Sequence, residues 1–288
     1  MDFLRRAGFA EACNREIAAT IEDYRRTPLV NRIFSDRGQH VMGMLAQYLH
    51  HVPLHGEQDA GLTVGRFRTL CGQVGIASPG RATAMLNLMR FAGYLRRVPS
   101  SSDRRRAFLE PTERLLSYRT QRWRHHFEAA AMIAPEAGLA LQLWDRQWFR
   151  TALLCAFVET YLQGFRFVHH APELTNVSES LSGFMILLQI KLVSEHLHAA
   201  GHSDLTISSL ASDCCASRTH VRNVLAQAAA DELIKARASS RDRIAARPIL
   251  QEALHRFYAA AFALTVRCVR LAADRQIPGG EAMQLRAG

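Results

Sequence analysis

Apolar residues recur at helical spacing along almost the whole chain, and each series predicts a helix. The series cover residues 29–49, 67–74, 82–89, 115–133, 139–168, 181–197, 210–214, 221–233 and 250–271. Prolines lie at or near the borders of these series, as is usual where helices begin or end. Two pairs of short segments instead favour β-hairpins, 94–98 with 107–109 and 233–237 with 244–249. The pattern therefore predicts a mainly α fold with two small hairpins.

The order of the predicted elements repeats once along the chain. An offset of 143 residues aligns Leu62-Thr63-Val64 with Leu205-Thr206-Ile207 and Cys71 with Cys214. After a gap of four residues, an offset of 139 aligns Ala77-Ser78 with Ala216-Ser217 and Asp103-Arg104 with Asp242-Arg243. Because turn residues match as well as apolar positions, we interpret the pattern as an internal duplication with pseudo-two-fold symmetry.

The first copy predicts a helix-turn-helix. The turn Gly75-Ile76-Ala77 follows a short helix, and Ser78-Pro79 supplies a favoured N-cap and a favoured first residue for the next helix. The second helix of such a motif can enter the DNA major groove, where arginine and asparagine bind guanine and adenine edges. Apolar residues of this helix are expected to face inward, namely Ala82, Met85, Leu86 and Met89. The candidate DNA-contacting residues are Ser78, Gly80, Arg81, Thr83, Asn87 and Arg90.

A basic hairpin follows this helix. Its tip is predicted to contact phosphates or the adjacent minor groove and so to fix the register of the helix on DNA. The candidate residues are Arg97, Ser102, Asp103, Arg104, Arg105 and Arg106. No acidic residue occurs between Asp59 and Asp103, whereas that stretch contains six arginines, Arg66, Arg68, Arg81, Arg90, Arg96 and Arg97. Such a block of like charge favours an anionic partner.

Four segments together resemble the winged helix-turn-helix of MarR-type regulators: residues 77–81, 92–95, 103–105 and 109–112. The resemblance covers residues 32–124 and is weaker over 181–269, where Ile244 occupies the position of the wing arginine. It implies a bacterial transcription regulator from a family of homodimers whose chains are about half this long. It also implies a small-molecule effector between the helical body and the DNA-binding heads. Candidate lining residues are Trp144, Trp148 and Phe149, although packing in an ordinary helix core also explains them.

The second copy offers its own candidate DNA-contacting residues, namely Ser217, Arg218, Thr219, His220, Arg222 and Asn223, with Arg241 and Arg243 on its wing. The predicted organisation has five parts. Residues 1–28 form an N-terminal helix of the helical body, 29–134 a first winged helix-turn-helix unit, and 135–175 bridging helices. Residues 176–278 form a second winged unit, and 279–288 form a flexible tail.

Composition narrows the function classes. The 288 residues carry a formal net charge of +10, which favours a polyanionic partner. No apolar run approaches the roughly 18 residues of a spanning helix, and the N-terminus resembles neither a secretory signal nor a transit peptide. Six scattered cysteines without a CxxC pair indicate free thiols in a reducing compartment. We therefore expect a cytoplasmic, nucleoid-associated protein without a membrane partner.

Motifs for catalysis are missing from the sequence: it contains no GxSxG, GxxxxGK[ST], HExxH or GxGxxG. The thirteen histidines do not complete a four-ligand set with cysteines or carboxylates, so we expect no metal and no cofactor. The sequence thus predicts a transcription regulator, not an enzyme, that binds double-stranded DNA as a monomeric pseudo-dimer or weak homodimer. Two alternatives stay open: a plasmid-type replication initiator with tandem winged helices, and a protein-interaction module that does not bind DNA.

Overall fold

A computed structural model describes residues 2–27, 31, 33–34, 36–52, 61–99, 107–200, 205–235 and 244–275. Within these ranges the chain is mainly helical, with two small antiparallel hairpins, as the apolar pattern predicts. The α-helices are α1 Phe9–Arg26, α2 Arg37–His51, α3 Val64–Gln73, α4 Pro79–Phe91, α5 Glu113–Ala131, α6 Pro135–Leu143, α7 Gln147–Leu162, α8 Thr175–Ser178, α9 Gly183–Ala200, α10 Ile207–Asp213, α11 Arg218–Ala230 and α12 Pro248–Asp274. One hairpin pairs β1 Leu95–Pro99 with β2 Ala107–Pro111, and the other pairs β3 Ile234–Lys235 with β4 Ala245–Ala246.

Polar side chains set the starts of the helices around the two hairpins. Asp36 accepts a hydrogen bond from the backbone N–H of Gln39, whose side chain in turn accepts from the Asp36 backbone N–H, forming a capping box. As the sequence predicts, Ser78 is the N-cap of α4, and Ser217 is the N-cap of α11. Each serine hydroxyl accepts a hydrogen bond from the backbone N–H three residues later. Each cap satisfies an N–H group that has no partner within its helix, so these side chains fix where the helices begin.

The order of elements from α2 to α5 is the same as the order from α9 to α12. We call residues 37–131 the first unit and residues 183–274 the second unit. The four-residue gap in the predicted alignment corresponds to a difference in helix length, because α3 has 10 residues and α10 has 7. The turn 74–77 is also one residue longer than the turn 214–216.

This difference in length changes one predicted correspondence. Cys71 lies inside α3, whereas Cys214 is the residue that follows α10. The backbone N–H of Cys214 donates to Leu210, as that of Val74 donates to Leu70, so Cys214 corresponds to Val74. Cys71 and Cys214 are both buried, but they do not occupy equivalent positions.

The helices that precede the two units each pack on both units. Helix α1 packs on α5 of the first unit and on α9 of the second. Helix α7 packs on α12 of the second unit and on α2 of the first, where Leu154, Cys155 and Val158 join the core of the first unit. In the sequence, residues 139–168 read as one helical series of a bridging segment, but α6 ends at Leu143 and α7 begins at Gln147. The structure therefore makes α7 the counterpart of α1, with α6 as the connection between two similar halves.

A third core lies between α5, α6, α7 and α12. Trp144 and Phe149 are buried in it and Trp148 packs against it, so these aromatics are part of an ordinary helix core. Among the described residues, no single helix has the length and apolar composition needed to cross a membrane, and only the pair Pro172–Ser178 and Gly183–Glu195, bent by 119°, meets those criteria jointly. The same described residues contain no group of three or more His, Cys, Asp or Glu side chains placed to hold a metal ion.

Candidate nucleic-acid interface

Helix α4 has one buried face and one exposed face. Ala82, Met85, Leu86 and Met89 are buried, which confirms the predicted inward face. Of the predicted contact residues, Thr83 is half-buried and its hydroxyl donates to the Pro79 carbonyl at 2.9 Å. The exposed residues of α4 beyond its first residue are Gly80, Arg81, Ala84, Asn87, Leu88, Arg90 and Phe91. The outer face therefore includes two large apolar residues that the sequence analysis did not single out, Leu88 and Phe91.

Arg81 is held by a carboxylate from another helix. Its guanidinium donates to Asp36 Oδ2 at 3.1 Å, and the Asp36 side chain is only 8% exposed. Since Asp36 is also the N-cap of α2, the ion pair joins the first turn of α4 to the start of α2. The sequence predicts that Arg81 contacts a base, whereas the ion pair indicates that Arg81 positions α4.

Several arginines of the block have hydrogen-bond or ion-pair partners within the chain. These partners reduce the charge repulsion that the sequence indicates. Arg96 donates to Glu110 at 3.0 Å across the hairpin, where the two residues are directly paired. Arg66 donates to the carbonyl oxygens of Gly61 and Val52. Arg81 and Arg96 therefore have carboxylate partners within the chain, so these two arginines do not by themselves indicate an external anion.

Arg90 and Arg97 are exposed beside the end of α4. Together with Asn87, Phe91 and Leu95 they line an open depression of about 430 Å³ between α4 and β1. The Phe91 ring is 92% exposed, the highest value among the large apolar residues that the structure describes. An aromatic ring and two guanidinium groups thus face solvent in the same region.

The first hairpin is extended by one bridge to the chain before α3. Leu62 pairs with Leu109, and the Leu109 backbone N–H donates to the Leu62 carbonyl at 2.8 Å. This isolated bridge places the start of α3 beside the hairpin. The predicted wing-tip residues lie outside the described residues, namely Ser102, Asp103, Arg104, Arg105, Arg106, Arg241 and Arg243.

Helix α11 presents a more polar outer face than α4. Val221, Val224 and Ala228 are buried, and Arg218, Thr219, Arg222, Asn223 and Gln227 are exposed. Asn223 and Gln227 are amides with donor and acceptor atoms, and Arg222 is a fork of donors, so this face can form bidentate hydrogen bonds with base edges. Of the predicted contact residues of the second copy, Arg218, Thr219, Arg222 and Asn223 therefore share one exposed face of α11.

His220 has a structural contact equivalent to that of Arg81. Its Nε2 donates to the Leu181 carbonyl at 2.7 Å, just before α9 begins. Arg81 and His220 each follow their N-cap serine by three residues, and each joins its helix to the chain at the start of the first helix of its own unit. Sequence reasoning missed this shared role because the partners are distant in sequence.

Ion pairs also join the first unit to the segment that precedes α9, and α1 to the second unit. Arg37, at the start of α2, donates to Glu179 at 2.5 Å. Arg25 of α1 donates to Asp213 of α10 at 2.7 Å, and the Tyr24 hydroxyl lies 2.7 Å from the Ser182 hydroxyl. These contacts hold the two units in one arrangement and place the start of α2 beside the segment that leads into α9.

Comparisons with known proteins return nothing for this chain: no family model, no curated protein sequence and no solved structure matches it.

Proposed function

We propose that the chain is a DNA-binding transcription regulator with two winged helix-turn-helix units in one polypeptide. The observation that carries the proposal is the repeated order of three helices and a hairpin, in which α4 and α11 each begin at a serine cap behind a tight turn and leave one face exposed. This is the arrangement in which a recognition helix enters the major groove and a wing lies on the backbone. The net charge of +10 supports a nucleic-acid partner.

The single chain takes the place of a homodimer in this proposal. Helices α1 and α7 each pack on both units, and the Arg37–Glu179 ion pair joins the first unit to the segment that leads into α9. The two recognition helices then have a fixed separation but different side chains. We infer a DNA site with two unlike halves, because a strictly palindromic site requires identical heads.

Selection from a library of random double-stranded DNA with the purified chain tests this proposal. The expected result is one enriched site with two different halves, whose affinity falls on the order of a thousandfold between 50 and 200 mM salt if about six phosphates are neutralised. Arg222→Ala is expected to weaken binding, whereas Arg267→Ala is the matched control. Arg267 is an equally charged, exposed residue near the far end of α12. Failure to enrich any DNA, or equal effects of the two variants, would contradict the proposal.

Exposed apolar residues favour a second candidate, a protein-interaction module. Leu88 and Phe91 lie on the exposed face of α4, where a partner protein would find an apolar contact. This candidate predicts no steep dependence of DNA affinity on salt. A plasmid-type replication initiator, in contrast, would bind iterated repeats, and the selected sequences distinguish it from a regulator of single promoter sites.

A further inference from the structure

The two recognition helices differ in chemistry at matching positions. An offset of 139 residues aligns their buried faces, where Ala82, Met85 and Met89 correspond to Val221, Val224 and Ala228. Because the buried faces correspond, the outer faces can be compared position by position. The matched outer pairs are Gly80 with Thr219, Ala84 with Asn223, Leu88 with Gln227, and Phe91 with Ala230.

On α4, three of these outer residues form one continuous stripe. Ala84, Leu88 and Phe91 are spaced by four and three residues, so they lie above one another on the same face of the helix. We call them the apolar stripe. All three are exposed, with Leu88 38% exposed and Phe91 92% exposed. On α11, Asn223 and Gln227 stand at the positions of Ala84 and Leu88, and Ala230 stands at the position of Phe91. The second unit therefore has hydrogen-bonding groups at two of the three positions where the first has only carbon.

The surroundings of the apolar stripe indicate what covers it. Arg90 and Arg97 are exposed beside it, and residues 61–99 contain no Asp or Glu. The apolar stripe therefore has cationic side chains at its edge. This arrangement is complementary to a DNA groove, which has phosphates along its edges and base edges with apolar groups at its centre. In the major groove, the C5-methyl group of thymine is the apolar group that base edges present.

We propose, on the basis of the function proposed above, that α4 selects thymine through contact of the apolar stripe with C5-methyl groups, with Asn87 supplying a hydrogen bond to a neighbouring base. Helix α11 selects its half of the site through hydrogen bonds from Arg222, Asn223 and Gln227. The two halves of the DNA site then differ in the kind of chemistry that recognises them, as well as in sequence.

Replacement of thymine by deoxyuridine tests the proposal, because it removes the methyl group and leaves the hydrogen-bonding edge unchanged. The site is first obtained by random selection, and the half bound by α11 is identified as the half whose base preference changes in Asn223→Ala. Deoxyuridine in the α4 half is expected to weaken binding about three- to fivefold for each contacted methyl group. Deoxyuridine in the α11 half is expected to have little effect.

Variants connect the effect to the apolar stripe. Leu88→Ala is expected to bind thymine and deoxyuridine sites with similar affinity, whereas the matched control Gln227→Ala keeps the preference for thymine in the α4 half. Thermal unfolding of Leu88→Ala checks that the variant is folded, as expected for a side chain that already contacts solvent.

Several results would overturn this inference. They are an α4 half without thymine, equal responses of the two halves to deoxyuridine, or a Leu88→Ala variant that still prefers thymine. If Leu88→Ala instead converts an oligomer to a monomer in analytical ultracentrifugation and the methyl groups have no effect, the apolar stripe binds a second copy of the chain. Salt-dependent binding of selected DNA without a methyl effect would refute this inference alone, whereas failure to select any DNA would refute the proposed function.

Discussion

Arg81 donates to Asp36 across 3.1 Å, and this ion pair joins α4 to α2, the helix that begins the first unit. The Arg81 side chain is 52% exposed, so the pair adds little to the stability of the fold, on the order of 0–1 kcal/mol. The main effect of the pair is on geometry: it fixes the direction of the Arg81 side chain and joins the first turn of α4 to α2.

Arg81→Ala is therefore expected to weaken DNA binding to a similar degree for all sequences. The sequence alone predicts a different result, a loss of about 1–3 kcal/mol with relaxed preference at one base pair. Asp36→Asn separates the two, since asparagine is also a good N-cap but does not form the ion pair. If Arg81→Ala alters preference at one position and Asp36→Asn does not, then Arg81 contacts a base. Affinity and site selection for the two variants provide the measurement.

Asp36→Ala is expected to be more destabilising than Asp36→Asn. Alanine removes both the capping box and the ion pair, and loss of an N-cap costs about 0.5–2 kcal/mol. Thermal unfolding monitored by circular dichroism measures the difference between the two variants. Equal melting temperatures would show that the cap contributes nothing measurable at this helix.

Lys191 is buried in the helical body, with its side chain only 1% exposed, and its Nζ donates to Glu195 at 2.8 Å and to Asn14. Glu195→Gln leaves this charge without its counter-ion and is expected to destabilise the fold by roughly 1–3 kcal/mol. Lys191→Met removes the charge and keeps the chain length, so its effect is expected to be close to neutral. Urea denaturation compares the variants, and the opposite order of stability would contradict this account.

His40 predicts how stability depends on pH. Burial, together with the nearby cations Arg122 and Arg119, lowers the pKa of His40 to about 3. In the unfolded chain its pKa is about 6.5, so between these values the unfolded state binds a proton that the folded state does not. This contribution to stability is complete above pH 6.5 and is lost as pH falls towards 3. His51, whose pKa burial lowers to about 4, acts in the same direction.

His40→Gln is accordingly expected to reduce the loss of stability between pH 7 and pH 4.5. Denaturant unfolding of the native chain and the variant at both pH values measures the effect, with a limit of about 1.4 kcal/mol per pH unit for one proton. An identical pH dependence in the two proteins would exclude His40 as a contributor.

Cys215 is the accessible thiol of the chain. The other five cysteines are buried, and burial is the main cause that raises the pKa of Cys13, Cys71, Cys214 and Cys268 to about 12 and that of Cys155 to about 11. A thiol reagent is expected to modify one cysteine rapidly in the folded protein, because the thiolate is the reactive form. Cys215→Gly is expected to abolish that reaction. Two fast-reacting thiols would contradict the assignment.

The same substitution bears on stability. Cys215 has a φ of +51°, and the equivalent position of the first unit is Gly75, with a φ of +69°. Glycine adopts this conformation without the cost of a Cβ, which is about 1–2 kcal/mol. Cys215→Gly is therefore expected to preserve or raise the melting temperature, and Gly75→Ala to lower it.

Local patterns in the sequence predicted the features that depend on neighbouring residues. The buried face of α4, the serine caps at Ser78 and Ser217, and the positions of both hairpins follow from periodicity and cap chemistry. The contacts between distant segments could not be predicted from these local patterns. Arg81 and Asp36 are 45 positions apart, and Arg37 and Glu179 are 142 apart, so no local pattern joins them. The apolar stripe was missed for another reason: Leu88 and Phe91 have helical spacing that is equally compatible with a buried face.

The packing of α1 and α7 on both units has a consequence for how the molecule unfolds. Unfolding of either half would remove a helix that covers the other half, and apolar side chains such as Leu154 and Val158 would then face water. The two halves are therefore expected to unfold together, with α4 and α11 lost in a single cooperative transition.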